Sequence, residues 1–107
     1  MTFDWDKGNL EHIAEHGITR AEAEEAVDND PLDLEVQMAA GEERILQVGP
    51  TRAGRMLMVA TTWREEKLRV VTAFPASPGF REHYLRQKGA RHAKERDDKR
   101  RSRHPQV

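Results

Sequence analysis

The side chains of this chain that could do chemistry are mainly basic and aromatic, and they concentrate in its second half. Arginine binds phosphate oxygens through paired hydrogen bonds, and exposed aromatic rings stack on unpaired bases. A nearby histidine, tyrosine or carboxylate could move the protons of RNA cleavage, in which a 2′-hydroxyl attacks the adjacent phosphate. Such a site needs no metal ion or other cofactor. The candidates are Arg52, Arg55, Trp63, Arg64, Arg69, Arg81, His83, Tyr84, Arg86 and Lys88.

The distribution of charge favours the same interpretation. Residues 1–48 hold 13 Asp/Glu and 3 Lys/Arg, whereas residues 49–107 hold 6 Asp/Glu and 15 Lys/Arg, although the net charge of the chain is −1. This asymmetry predicts that the second half binds a polyanion or an acidic partner. The alternative is that the two halves neutralise each other across the fold. The basic excess continues into residues 90–107, where pairing of every charge is not expected.

Each candidate also has a purely structural interpretation. Trp63 could be a packing residue at the edge of a sheet, and Tyr84 a core residue with a polar tip. Arg64 and Arg69 could pair with carboxylates of the acidic half. His83 could simply be exposed on a helix. The clustering of these residues favours the joint RNA-binding hypothesis.

Other chemical motifs are weak. Residues 12–16 fit the H-x-x-E-H pattern of some zinc peptidases, but a catalytic zinc site needs a third protein ligand and a cleft. Gly17 is expected to end the helix directly after His16. The interaction of His16 with the helix dipole is therefore a simpler explanation than zinc binding for a histidine at this position. Asp28, Asp30 and Asp33 lack the glycine and the distal glutamate of an EF-hand loop. We therefore predict no metal site.

Caps and turn residues predict two N-terminal helices. Asn9 is expected to cap the first helix, and Gly17 to end it. Thr19 and Glu22 have the spacing of a capping box at the start of the second helix, near residues 20–29.

Alternating hydrophobicity and turn residues then predict an antiparallel sheet of 3–4 strands, near residues 32–36, 44–48, 55–63 and 68–74. A C-terminal helix is expected at about residues 80–88, with Phe80, Tyr84 and Leu85 on one apolar stripe. The fold class is therefore α+β. The high charged fraction, 35%, favours a thin core with helices on one face of the sheet.

We expect one domain, residues 1–89, and a basic tail, residues 90–107, that is disordered when free. The chain has no cysteine, its first residues do not form a signal peptide, and no apolar run approaches the length of a membrane span. These features predict a cytoplasmic protein with no membrane association.

Motifs spread over residues 3–88 resemble the BrnT-like toxin family. They are Phe3-Asp4-Trp5-Asp6, Asn9, His16-Gly17-Ile18, Asp30-Pro31-Leu32, Gly41-Glu42-Glu43-Arg44, the segment from Gly54 to Val59 and the segment from Leu68 to Ala73. The resemblance implies a RelE-like fold and a metal-independent endoribonuclease toxin that blocks translation. It also implies a BrnA-like antitoxin, a ribbon-helix-helix DNA-binding protein, in an assembly that could be a homodimer or a toxin–antitoxin heterotetramer.

The resemblance also divides the candidates by role. It implies that Arg55, Arg64 and Arg69 face the phosphate and that Tyr84 lies near the family's C-terminal tyrosine; with His83, these are the predicted catalytic residues. The predicted RNA-binding residues are Arg52, Trp63, Arg81, Arg86 and Lys88.

Two positions depart from the family pattern. Phe74 stands where the family commonly has an arginine after Ser-Ala, and Phe80 stands near the family glutamate of the last helix. A phenylalanine cannot stabilise the charge of a phosphorane as arginine does. The alternatives are weak cleavage, use of Arg81 or Arg86 instead, or a non-catalytic module that binds RNA or a partner.

Overall fold

The computed structural model describes residues 1–89, which form two N-terminal helices, a four-stranded antiparallel sheet and a C-terminal helix. The elements are α1 (Lys7–Glu15), α2 (Arg20–Asp28), β1 (Leu32–Ala39), β2 (Glu42–Pro50), β3 (Met56–Arg64), β4 (Lys67–Pro75) and α3 (78–89). The strands follow each other in the order β1-β2-β3-β4. The predicted α+β architecture is confirmed. The predicted basic tail, residues 90–107, lies outside the described residues.

The N-terminal helices begin at short polar side chains. The prediction that Asn9 caps α1 is wrong: the Asp6 carboxylate accepts the Asn9 backbone N–H at 2.8 Å, so the helix begins three residues earlier. The capping box of α2 is confirmed. The Thr19 hydroxyl accepts the Glu22 N–H, and the Glu22 carboxylate accepts the Thr19 N–H, both at 3.1 Å. Gly17, with φ +74°, allows the chain to turn sharply between the helices.

Helices cover both faces of the sheet. Leu57 and Val59 pack in one buried cluster with residues of α1 and α2, whereas Met56 and Met58 pack in a second cluster with Tyr84 of α3. Alternate residues of a strand point to opposite faces. The expectation of helices on one face is therefore wrong, because β3 is apolar on both sides, as a doubly covered strand requires.

The orientation of α3 also differs from the prediction. The helix begins at residue 78, where the Ser77 hydroxyl accepts the Phe80 N–H at 3.4 Å. Tyr84 and Lys88 are buried, whereas Phe80 and Leu85 are 43% and 51% exposed. The predicted stripe is thus only partly correct, because the helix buries Lys88 rather than Leu85.

Irregularities at both edges of the sheet set which side chains share a face. In β1 the register shifts between Asp33 and Glu35, and Val36 is left 63% exposed on an edge strand predicted to alternate regularly. In β4, Thr72 pairs with Ala60 but Val70 pairs with Thr61. The extra residue between them is Val71.

The N-terminal segment continues the sheet beyond β4. Phe3 forms a parallel bridge with Leu68, whose backbone N–H donates to Thr2 O and whose carbonyl accepts from the Asp4 N–H, both at 2.9 Å. This pairing directs α1 along the edge of β4. Among residues 1–89, no helix combines the length and the apolar character that crossing a membrane would require.

Candidate nucleic-acid interface

Strands β3 and β4 place two of the predicted arginines on one face of the sheet. Arg69 pairs across the strands with Thr62, and Arg64, two residues further along β3, pairs with Lys67. Cross-strand partners point to the same face, so Arg64 and Arg69 share the face on which α3 packs. Leu46 of β2 pairs with Ala60, which lies on the same face, and Arg44 lies two residues before Leu46. Arg44 therefore also points to this face. We call Arg44, Arg64 and Arg69 the arginine face.

Carboxylates hold each arginine of this face. Glu42 lies between Arg44 and Arg64, with one carboxylate oxygen 3.4 Å from each guanidinium. The Arg69 guanidinium is 2.6 Å from an Asp6 oxygen and 3.5 Å from an Asp4 oxygen. The side chains of Arg44, Arg64 and Arg69 are 31%, 51% and 14% exposed. The guanidinium groups are therefore oriented by acidic neighbours, with which an anion bound at this face would have to compete.

The Asp6 carboxylate connects the cap of α1 to this face. The Asn9 backbone N–H, and after it the Arg69 guanidinium, lower the pKa of Asp6 below its ordinary value of 3.8. The hydrogen bond with Asp6 in turn raises the pKa of Arg69 above its usual range. Both shifts favour the ionised pair. Arg69 is therefore a charged group fixed at the point where α1 starts beside β4.

The two histidines of the H-x-x-E-H segment lie where α1 packs on β4. His12 Nε2 and Thr72 Oγ1 share a hydrogen bond of 3.0 Å. The His16 ring lies edge-on to that of His12, with 5.4 Å between centroids, and 6.0 Å from the ring of Phe74. We call His12, His16, Thr72 and Phe74 the α1–β4 seam. The i, i+4 spacing was a signal for a shared helix face, but only the packing of α1 on β4 brings the pair against Thr72 and Phe74.

The α1–β4 seam does not complete a metal-ligand cluster. Within residues 1–89, no three His, Cys, Asp or Glu side chains are grouped so that they could hold a metal ion.

Arg52 and Arg55 lie at the other end of the sheet. Arg55 precedes β3 and Arg64 closes it, so nine residue steps of extended strand separate them by about 30 Å. Arg55 Nη1 donates to Gly17 O at 2.9 Å and lies 3.1 Å from a Glu22 oxygen. The Thr19 N–H, and after it the Arg55 guanidinium, lower the pKa of Glu22. The structure therefore does not bring Arg55 to the arginine face, and it uses this side chain to fasten the α1–α2 turn to the β2–β3 loop.

The predicted residues of α3 divide into a buried and an exposed group. The Tyr84 hydroxyl donates to Asp30 O at 2.9 Å, and Lys88 Nζ lies 2.8 Å from Asp30 Oδ1. Burial, and after it the charge of Asp30, raises the pKa of Tyr84. Both side chains therefore fasten α3 to the loop that follows α2. The exposed candidates of this helix are Arg81, His83 and Arg86.

Trp63 lies close to the arginine face but on the opposite side of β3. Its side chain is 57% exposed and adjoins a hollow lined by Gly41, Glu43 and Ile45. Because it alternates with Thr62 and Arg64, Trp63 projects toward the face of α1 and α2 near the β3–β4 turn. It is accessible to a partner or to a base there.

Comparison with known proteins agrees with this architecture. The family model described as the ribonuclease toxin BrnT of type II toxin–antitoxin systems matches residues 5–79, which include α1, α2 and all four strands. No curated protein matches the chain. The match covers most of the chain and contains the arginine face and the α1–β4 seam. The chain therefore belongs to the BrnT family of type II toxin–antitoxin ribonuclease toxins.

Proposed function

We propose that this toxin cleaves RNA without a metal ion, binds the scissile phosphate on the arginine face and thereby inhibits translation. The observation that supports this most directly is the shared orientation of Arg64 and Arg69 on neighbouring strands, with Arg44 beside them. Guanidinium groups stabilise the negative charge that develops on phosphate oxygens when a 2′-hydroxyl attacks. Glu42, Asp4 and Asp6 keep these groups oriented before RNA arrives.

The ten predicted residues take different roles in this proposal. Arg64 and Arg69 contact the phosphate. The indole of Trp63, which is 57% exposed, stacks on a base near the end of the sheet. The side chains of Arg55, Tyr84 and Lys88 maintain the fold. Arg52 is exposed, and its backbone N–H donates to a Glu25 oxygen at 3.0 Å. Arg81, His83 and Arg86 extend the RNA contact along α3.

The test compares arginine variants in cells and in solution. Expression of the protein should arrest growth, and the purified protein should cut RNA equally well with a metal chelator present. Arg64→Ala and Arg69→Ala should each lower the cleavage rate by roughly 100-fold or more. Arg20→Ala, which removes an exposed arginine on α2, is the matched control. Unchanged growth arrest and cleavage in both arginine variants would refute the proposed site.

Arg55→Ala distinguishes this site from the sequence prediction. Arg55 contacts Glu22 and Gly17 at the far end of the sheet. An Arg55→Ala variant that folds with the stability of the wild type but no longer cuts RNA would show that Arg55 is catalytic, as the sequence predicted. Loss of stability with full activity of the folded fraction agrees with a role of Arg55 in holding the fold together.

The antitoxin that the family implies is proposed to be a BrnA-like ribbon-helix-helix protein that acts with the toxin in the cytoplasm. Coexpression should abolish growth arrest, and the two proteins should copurify. Light scattering would then distinguish a heterotetramer from a one-to-one complex, and the same measurement on the toxin alone would detect a homodimer.

Residues 90–107 are proposed to strengthen RNA binding. They hold seven Lys/Arg and three Asp/Glu. Contacts with phosphates release counterions, so deleting this segment should weaken RNA affinity and flatten its dependence on salt. If neither property changes, these residues take no part in RNA binding.

A second candidate function is a non-catalytic module that binds RNA or a partner on the same fold. Two observations favour it: Arg55, Arg64 and Arg69 each have a carboxylate partner, and Phe74 lies in the α1–β4 seam. Harmless expression and intact RNA, together with salt-sensitive RNA binding, would decide for this candidate.

A further inference from the structure

Two exposed histidines stand one helical turn apart beside the arginine face. His12 is held by Thr72 at 3.0 Å, and the His16 ring lies 5.4 Å from the His12 ring. The extra residue in β4, Val71, puts Thr72 on the same face as Arg69. Their separation along the strand is about two or three residue spacings, roughly 7–10 Å. His12 therefore lies on the side of β4 that carries Arg69, and His16 lies one helical turn further from Arg69, beside Phe74.

We propose that His12 and His16 are the proton-transfer pair of this toxin. One imidazole accepts the proton of the attacking 2′-hydroxyl, and the other, in its protonated form, donates a proton to the leaving 5′ oxygen. This inference rests on the proposed function, because it requires RNA bound on the arginine face.

The geometry of the pair suits this chemistry. A group that transfers a proton must come within about 2.6–3.2 Å of the oxygen concerned. Two rings with centroids 5.4 Å apart can reach oxygens on opposite sides of one phosphate. Both residues are exposed. In the described part of the chain, the His16 ring contacts the rings of His12 and Phe74 and makes no hydrogen bond.

The reaction is a transphosphorylation that balances without a further reagent. The bond from the 2′ oxygen to phosphorus forms as the bond from phosphorus to the 5′ oxygen breaks. The proton of the 2′-hydroxyl goes to one histidine, and the 5′ oxygen takes its proton from the other. The products are a 2′,3′-cyclic phosphate and a 5′-hydroxyl. Exchange with water restores the protonation states of the two imidazoles.

The other predicted proton carriers are less well placed. The Tyr84 hydroxyl donates to Asp30 O, and Tyr84 is 7% exposed. His83 lies beside Leu34 and Leu46 of β1 and β2, whereas Arg69 lies on β4 at the opposite edge of the sheet. Of these groups, His12 and His16 are the ones that contact the strand of Arg69, through Thr72 and Phe74.

The experiment uses the full chain and two versions of an RNA whose cleavage position has been mapped. One version carries the natural 5′ oxygen at that bond, and the other carries sulfur there. A thiolate leaves without protonation, so the sulfur substrate does not require a general acid. On the oxygen substrate, His12→Asn and His16→Asn should each lose about 10²–10⁴-fold in rate. On the sulfur substrate, one variant should recover and the other should not, which identifies the acid and the base.

Glu15→Gln is the matched control, because it changes an exposed polar residue on the same turn of α1. Thermal unfolding checks the fold of every variant, and glutamine replacements repeat the test if an asparagine variant unfolds early. Rates within about threefold of wild type for both histidine variants, or any pattern other than recovery of one, overturn the pair. A wild-type protein that cuts neither RNA refutes the proposed function itself, and the pair with it.

Discussion

Gly49 lies at a close approach of helix and sheet, and its replacement by alanine gives a sharp test of the fold. Gly49 lies in β2 against α2. A Cβ at this position would lie 2.3 Å from the carbonyl oxygen of Ala26, 3.2 Å from the carbonyl carbon of Ala26 and 3.3 Å from Cβ of Pro31. The nearest atom belongs to the backbone, so no side-chain rotation can relieve the contact. The helix and the strand must separate locally by about 1 Å.

The expected cost follows from that displacement. Overpacking of a buried contact destabilises by about 1–3 kcal/mol. For a domain of this size, 1 kcal/mol corresponds to roughly 4–8 °C in Tm, so a loss of about 2 kcal/mol should lower the Tm by roughly 8–16 °C. Circular dichroism during heating measures the Tm, and urea unfolding measures the free energy of unfolding.

Gly8→Ala is the control for Gly49→Ala. Gly8 lies in the first turn of α1, and a Cβ there would meet Asp6 Oδ1 at an ordinary 3.4 Å. Alanine should stabilise that helix by up to about 1 kcal/mol. A Gly49→Ala protein that melts within about 2 °C of the wild type would show that α2 and β2 are further apart than these distances require.

Three further predictions concern the polar contacts. Asp6 and Glu22 have lowered pKa values in the folded protein. The stabilisation that these carboxylates provide is therefore present above their ordinary pKa values of 3.8 and 4.5 and is lost as the pH falls through the folded values. Asp6→Asn should flatten the dependence of the Tm on pH below about pH 4. The pKa of Tyr84 is raised above its ordinary value of 10.0, so the stabilisation linked to it is present below pH 10.0 and is lost as the pH rises through the folded value. Tyr84→Phe should lower the free energy of unfolding at neutral pH by about 1 kcal/mol, which heating would show as a lower Tm. The same substitution should remove the loss of stability at alkaline pH. Lys88→Ala should lower the free energy of unfolding by about 1–3 kcal/mol, because the buried stem of Lys88 and its contact with Asp30 are lost. Arg86→Ala, which removes a side chain that is 71% exposed, should change the free energy of unfolding by less than about 0.5 kcal/mol. Equal urea midpoints for the two variants would contradict the structural role of Lys88.

The sequence alone predicted the features that depend on neighbouring residues. The capping box of Thr19 and Glu22 and the turn at Gly17 each involve residues within a few positions of one another. Local hydrogen bonding and backbone preference determine them. The family resemblance was also readable, because its motifs lie in order along the chain.

Some local assignments failed because two local solutions compete. Asp6 and Asn9 are both good caps, and which one starts α1 depends on the path of the preceding segment. That segment pairs with Leu68 and brings Asp6 to Arg69. The residue that caps α1, Asp6, thus also contacts Arg69, which lies 63 positions away in the sequence. The local helix propensities of residues 6–9 give no information about that contact.

The arrangement of the residues in the proposed site depends on tertiary structure. Arg55, Arg64 and Arg69 are equivalent as basic residues in the sequence, but β3 separates the first two by its whole length, and the register of β3 with β4 unites the last two. One extra residue, Val71, puts Thr72 and Arg69 on the same face and so brings His12 toward the arginines. Side-chain direction alternates along a strand, so one extra residue moves every following side chain to the opposite face of the sheet. The position of that extra residue depends on the pairing between strands and cannot be obtained from the residues of either strand alone.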